Sequence, residues 1–329
     1  MSTRAEITGI GVALPDARRT NADLEARVDT SDAWIRERTG IRERRVAAPD
    51  ESTATLAIDA GIAALKDARI APEDVDLLIV ATATPEQPIP HTGAFVAEGM
   101  GIRCGSFDLA AGCSGFLYSL VVGNSMLGTG TAQRVLVIGA ETLTRVIDPD
   151  DRATCILFGD GAGAAVLEAG NGDRGLLAWD LGTDGSAAEI LGIRAGGSRR
   201  PASAETVASG EHWLHMAGQE VFRRAVRAVV SSITTTLERS DASAHEVDWF
   251  VPHQANARII DAAAQRVGIP PERCVQNIER YGNTSAASIP IAIREALDDG
   301  RVSPGDLVLL AGFGAGMTWG SALVRWGRS

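Results

Sequence analysis

The sequence predicts an α/β protein built from two similar halves, and three observations carry that prediction. Short β-branched or leucine-rich runs alternate with amphipathic helical stretches along the chain. Several segments of the first half return in the second, displaced by about half the chain. Apolar residues make up 45% of the 329, enough to fill a large core, which excludes a disordered chain.

In chain order, Thr53–Ala68 reads as a helix because Leu56, Ala60, Ala63 and Ala64 recur at helical spacing. Leu77–Ala81 is a continuous apolar run of strand length. The segment Phe107–Phe116 passes from a strand into the helix Gly115–Leu127. Val135–Ala140 and Ala164–Leu167 read as strands, Gln219–Arg239 as a helix, Trp249–Val251 as a strand. The helix Ala257–Val267 and the strand Leu307–Ala311 complete the pattern. Strands separated by helices point to mainly parallel pairing.

The repeat is visible in three places. Val75-Asp76-Leu77-Leu78-Ile79-Val80 matches Val247-Asp248-Trp249-Phe250-Val251-Pro252. Met100-Gly101-Ile102 matches Val267-Gly268-Ile269, and Arg134-Val135-Leu136-Val137-Ile138 matches Asp306-Leu307-Val308-Leu309-Leu310. The turn-rich run Gly170–Gly175 suits a junction, dividing the chain into halves 1–172 and 173–329. Fused α/β halves place a site where their strand ends meet.

Several functions are excluded. A formal net charge of −11 argues against nucleic-acid binding. Lys66 is the sole lysine and sits in an alanine-rich helix, so neither a P-loop nor a Schiff-base lysine is available. The five histidines and the cysteines at 104, 113, 155 and 274 lack metal or C-x-x-C spacing. Neither a metal nor a resident cofactor is expected. The polar start Met1–Glu6 carries no signal-peptide core and no stretch is of membrane-spanning character. A cytoplasmic protein that does not enter membranes is the expectation.

Cys113 lies in Ala110-Ala111-Gly112-Cys113-Ser114-Gly115, where small residues let the backbone turn and leave the sulfur open. At a helix start, free amides and the helix dipole would favour its thiolate, the species that attacks a thioester. Taken alone, the segment equally suits a buried structural cysteine. His253 follows directly on a strand, and Asn283 stands in the turn Tyr281-Gly282-Asn283-Thr284. A cysteine with an imidazole and an amide suits carbonyl polarisation without hydrolysis, because donors stabilise an enolate whereas a carboxylate would strengthen a base. That constellation points to carbon–carbon bond formation.

These segments resemble the β-ketoacyl-acyl carrier protein synthase III family over essentially the whole chain. Thr20–Leu24, Asp29–Ile35 and Arg38–Arg44 resemble its N-terminal signature, and Phe158–Ala164 and Gly312–Ser321 its other landmarks. The resemblance implies a thiolase-like five-layered αβαβα fold and a homodimer. It implies that Cys113 takes an acyl group from acyl-CoA and that malonyl-acyl carrier protein then condenses with loss of CO2. His253 and Asn283 would stabilise the enolate, and the Cys113 and Ala315 amides would form the oxyanion hole. Phe313, Ile89 and Met216 would pack around the acyl group. The resemblance assigns CoA to Thr30, Trp34, Arg38, Arg152, Gly218 and Asn256, with adenine between Trp34 and Arg152. It assigns carrier-protein docking to Gln254, Ala255, Asn256, Ala257 and Arg258, with Arg223, Arg224 and Arg266 adding positive charge.

Three departures stand out. Ile89, in the stretch Pro85–His91 that the family uses to close a partner's acyl pocket, replaces a bulkier aromatic, which implies tolerance of branched or longer acyl groups. His91 has no assigned role. Ser114 takes a place where alanine is common, a change expected to matter little. Three rivals remain: a starter-unit synthase or acyltransferase of a specialised pathway, a hydrolase of the Cys-His class, though the acidic third member is missing, and a non-catalytic thioester-binding subunit. A thiolase would need a second cysteine near Gly314–Gly316, which is absent.

Overall fold

The structure is a computed structural model that describes residues 4–170 and 172–327. Its strands, in chain order, are β1 (Arg4–Ala13), β2 (Arg18–Thr20), β3 (Glu43–Arg45), β4 (Leu77–Ala81), β5 (Gly105–Leu109), β6 (Arg134–Thr142), β7 (Asp160–Gly170), β8 (Gly175–Thr183), β9 (Leu191–Ile193), β10 (Leu214–Met216), β11 (Trp249–Pro252), β12 (Leu307–Gly314) and β13 (Thr318–Arg325). One sheet has the order β1-β7-β6-β4-β5, and the other the order β11-β12-β13-β8. The short ribbons β2–β3 and β9–β10 stand apart from both.

The sheets have the same plan. In each, two neighbouring strands run parallel, β4 with β6 and β11 with β12, and antiparallel strands complete one side. The counterpart of β5 in the second sheet is a single parallel bridge between Phe250 and Cys274. Pairing is therefore mixed, which corrects the expectation of mainly parallel sheets. β13 returns beside β12 through a tight turn, and β7 lies antiparallel to both β6 and β1.

Strand alternation sorts side chains into layers. Val135 and Val137 face one core while Leu136 and Ile138 face another. The shared core joins both sheets through the helices Gly115–Gly128 and Ser288–Asp298, which lie between them. Helices Thr53–Ala68 and Thr92–Met100 cover the far face of the first sheet. Helices Gly218–Arg239 and Ala257–Val267 cover that of the second. The result is helix, sheet, helix, sheet, helix. Leu136 is fully buried, so truncation to alanine would cost about 2–5 kcal/mol.

The two central helices position the site, because each begins beside a sheet's carboxyl edge. Cys113 precedes the first of them and Asn283 the second. His253 follows β11. Among the described residues, no helix is long and apolar enough to cross a membrane.

Candidate active site

Cys113 occupies the 3-10 turn Gly112–Ser114 that joins β5 to the first central helix. Glycine at 112 and 314 lets this turn approach the end of β12. A β-carbon on Gly314 would fall 2.5 Å from the Cys113 amide nitrogen, and one on Gly112 would fall 2.9 Å from that of Ala315. The two amides assigned to the oxyanion hole are thereby brought side by side. Ser114 donates to Thr318 Oγ1 at 2.7 Å, and Thr318 donates to the Ala111 carbonyl at 2.8 Å. Ser114 thus clamps the cysteine turn to β13, a larger role than its small size suggested.

The expected lowered thiol pKa is not what the site produces. Burial pushes the Cys113 thiol up to about 12, opposed by a hydrogen bond from Ser285 and reinforced by the charge of Glu141. The regular helix starts only at Gly115, so Cys113 stands before its first turn, in the intervening 3-10 turn.

His253 is 3% exposed, and burial lowers its imidazole to about 3, which keeps the ring neutral. Its Nδ1 lies 2.7 Å from Ser288 Oγ, while Nε2 is buried without a hydrogen-bond partner. Phe313 packs edge-on against the ring with centroids 5.7 Å apart. Asn283 accepts the Ser285 N–H at its Oδ1 (2.8 Å), which turns its Nδ2 donors the other way. Cys113, His253, Asn283, Phe313 and Ala315 all line one cavity of about 580 Å³. The cavity floor offers a thiol, a neutral imidazole, an amide and two backbone donors, a set suited to polarising thioester carbonyls.

Other assigned residues divide into two groups. Trp34, Arg38, Met216, Gly218, Ala255, Asn256 and Arg258 line the cavity. Arg152 does not, yet its guanidinium lies 4.9 Å from the Trp34 ring centroid, with Arg38 at 5.9 Å. Arg152 and Trp34 are in direct contact, so an adenine stacked between them must displace the arginine. Asn256 caps the helix Ala257–Val267, accepting from the Arg258 N–H at 2.9 Å and donating to the Arg38 carbonyl at 3.0 Å. Both ends of its amide are committed to structure. Thr30 is outside the cavity wall, its hydroxyl buried without a partner.

Two docking assignments change. Gln254 is 1% exposed because its side chain bonds the Pro252 and Val275 carbonyls and the Asn277 amide. It cannot meet a partner protein. Ala257 packs where a β-carbon on Gly40 would touch it. Arg223 is exposed but paired with Glu220, and Arg224 is held by Glu220 and Asp184. Arg258 lies at the cavity over the Phe222 ring, and Arg266 is exposed at the far end of the same helix.

Ile89 is 85% exposed and absent from the cavity of its own chain. His91 has a local partner, with Nε2 3.0 Å from Ser106 Oγ on β5. The sequence reading missed the cavity's apolar wall, including Leu157, Leu191, Leu214 and Phe222. Most of these lie in short or irregular segments with no period to reveal them. It also missed Ser285 and Ser288, although both stand in the run of small residues after Asn283.

The chain matches two family models. Residues 107–185 match 3-oxoacyl-(acyl-carrier-protein) synthase III, and residues 237–326 match its C-terminal region. It is 50% identical over 323 residues to a β-ketoacyl-(acyl-carrier-protein) synthase III from Symbiobacterium thermophilum, covering 98% of each chain. It is 47% identical to one from Natranaerobius thermophilus, covering 98% of this chain and 100% of the relative. Among solved structures, the enzyme of that name from Aquifex aeolicus superposes with TM-score 0.91 at 43% identity, covering 98% and 100%. The priming β-ketosynthase of a polyketide pathway superposes with TM-score 0.92 at 33% identity, covering 99% and 97%.

Proposed function

The chain belongs to the β-ketoacyl-acyl carrier protein synthase III family of condensing acyltransferases, and from that premise we propose how its own residues carry the reaction. Cys113 takes the acyl group of an acyl-CoA. Malonyl-acyl carrier protein then enters and loses CO2, and its enolate attacks the acyl-enzyme to release a 3-oxoacyl-carrier protein. The observation that carries this reading is that Cys113, His253 and Asn283, from three separate segments, line one cavity. A neutral imidazole and an amide whose oxygen is already engaged can only donate to the forming enolate. Phe313 against His253 keeps water from the carboxylate that is lost. The Cys113 and Ala315 amides receive the oxyanion of each tetrahedral intermediate.

Trp34, with Arg38 and Arg152 at its ring, is the CoA subsite in this reading. Arg258 at the cavity, Arg266 at the far end of its helix and Arg223 on the neighbouring helix offer local positive charge to an acidic carrier protein. Charge reversal at Arg266 should raise KM for malonyl-carrier protein several-fold, most strongly at low salt.

A homodimer completes the pocket. β5 is an edge strand, and Asp108 on it holds the Thr92 and Gly93 amides, fixing the adjacent segment that bears Ile89. Ile89 and Phe95 leave apolar surface there, 85% and 37% exposed. An open edge with apolar neighbours invites pairing with a second copy. Ile89 of each copy would then close the acyl pocket of the other. We place the enzyme in the cytoplasm, at the first condensation of fatty-acid synthesis.

The test is CO2 release from malonyl-acyl carrier protein by the acylated enzyme. His253→Ala and Asn283→Ala should each lose at least about 100-fold. Release at the wild-type rate in both variants would reject the assignment.

A further inference from the structure

Arg44, the middle residue of β3, is fully buried, yet among the described residues no carboxylate forms an ion pair with it. A guanidinium taken out of water without a counter-charge is costly. Its donors are spent on neutral acceptors. One terminal nitrogen donates to the Arg19 carbonyl and to Asn21 Oδ1, both at 3.0 Å. The other donates to Asn21 Oδ1 at 3.1 Å and to the Ile156 carbonyl at 2.7 Å. Nε is buried without a partner.

Asn21 is buried as well, and its Nδ2 donates to the Ile41 carbonyl at 2.8 Å and to Asp32 at 2.9 Å. The amide is thereby fixed with its oxygen turned to the arginine. Burial lowers the Arg44 guanidinium to about 10, which leaves it charged at neutral pH.

Arg44 grips the backbone that carries Asn283. Ile156, Leu157 and Phe158 line the cavity, and a parallel bridge joins Phe158 to Asn283. The Asn283 N–H donates to the Leu157 carbonyl at 2.8 Å, and the Asn283 carbonyl accepts the Gly159 N–H at 3.0 Å. Both peptide groups of Asn283 are thus tied to the segment that Arg44 holds at Ile156. Glycine at 159 and 282 makes room for the arginine stem, since a β-carbon on either would fall 3.1 Å from Arg44 Cβ.

Resting on the reading above, we propose that Arg44 is a positioning residue for decarboxylation: its fork holds the segment 156–159, and through it the Asn283 backbone, so that the Asn283 amide meets the enolate. Arg44 touches neither substrate nor the reacting atoms. Hydrogen bonds from a charged donor are stronger than neutral ones, and a planar fork fixes direction as well as distance. Cys113 acylation draws instead on the Cys113 and Ala315 amides, which the close approach of Gly112 and Gly314 brings together. The two stages of the reaction should therefore respond differently to loss of the arginine.

The experiment measures two rates in each variant. One is CO2 release from malonyl-acyl carrier protein by the acylated enzyme. The other is Cys113 acylation at saturating acyl-CoA, by rapid quench and intact mass. Arg44→Met keeps an unbranched stem between the glycines and removes the donors. It should lower CO2 release about 100-fold, the cost of a misplaced catalytic group. Acylation should change less than about two-fold, and KM for malonyl-carrier protein should stay near its wild-type value. Arg44→Lys, which keeps the charge without the fork, should recover part of the loss and remain about 10-fold slow in CO2 release. Asn283→Ala combined with Arg44→Met should be no slower than Asn283→Ala alone.

A folded Arg44→Met enzyme with wild-type CO2 release overturns the proposal. Equal losses in the two rates, which a merely structural role would give, overturn it too, as do multiplied losses in the double variant. Should Arg44→Met fail to fold, Arg44→Lys carries the same test, and equal or absent losses there overturn the proposal. Wild-type CO2 release in Asn283→Ala would instead reject the underlying reading.

Discussion

The Ser288 hydroxyl and His253 Nδ1 lie 2.7 Å apart, and the same oxygen accepts the Gln254 N–H at 3.3 Å. A hydroxyl oxygen carries two lone pairs and one hydrogen, so Ser288 can accept the Gln254 N–H and still donate to Nδ1. When it donates, the imidazole proton resides on Nε2, the nitrogen without a protein partner. The Ser288 hydroxyl is thereby placed to govern which nitrogen donates to the enolate.

Removing that hydroxyl should release the tautomer. Ser288→Ala is expected to lower kcat for malonyl decarboxylation by about 10-fold or more, with KM for the malonyl substrate nearly unchanged. Steady-state CO2 release checks this. Ser288→Thr, which restores a hydroxyl, should recover part of the rate.

His253 and Glu141, both buried, make opposing contributions to the pH dependence of stability. His253 has a folded pKa of about 3, below its ordinary 6.5, so below about 6.5 the unfolded chain takes up the extra proton and stability falls with falling pH. Glu141 has a folded pKa of about 7, above its ordinary 4.5, so its contribution is full below 4.5 and is lost as pH rises toward 7. Between about 4.5 and 6.5 the two slopes oppose each other. Glu141→Gln should unmask the histidine slope, on the order of 1.4 kcal/mol per pH unit in that window. Urea unfolding at stepped pH measures it.

Trp34 should govern CoA affinity rather than chemistry. Trp34→Ala removes the surface that carries Arg38 and Arg152, whose cation–π contribution is about 0.5–2 kcal/mol each when formed. KM for acyl-CoA should rise about 10-fold, with kcat little changed. Acyl-CoA saturation curves test the split.

Gly314→Ala places a methyl group 2.5 Å from the Cys113 amide nitrogen and must push the cysteine turn off β12. Loss of two aligned donors is expected to cost acylation at least about 100-fold. Thermal unfolding should fall by only a few degrees, because the change is confined to one turn.

Much of the fold was legible because its pattern is local. Thr53–Ala68, Leu77–Ala81 and Ala257–Val267 have the bounds that periodicity gave them. β1 escaped because Gly9 and Gly11 break its alternation, and they do so for a tertiary reason. A β-carbon at either position would lie 2.1–2.4 Å from the backbone of Ala64 in the packed helix. β13 is likewise interrupted at Gly320, where a β-carbon would press on Leu181. Mixed pairing was hidden because a strand's neighbours are chosen by the chain's return path, not by its own residues.

Small-residue turns single out Cys113 and Asn283 in the sequence, and the end of a strand singles out His253; the structure brings all three to one cavity. Glu141 was not legible, since a carboxylate after an apolar run looks like a strand reaching water. Its signal was the absence of any turn residue between Ala140 and Leu143 to take it to the surface. Ser285 and Ser288 were hidden among the small residues around them.

The most direct test of the central claim is the intact mass of the protein after mixing with acyl-CoA, before and after malonyl-acyl carrier protein is added. One acyl adduct should form, be absent from Cys113→Ala, and vanish on addition of the second substrate as CO2 and a 3-oxoacyl product appear. An unmodified wild-type chain, or an adduct that persists in Cys113→Ala, would contradict the account.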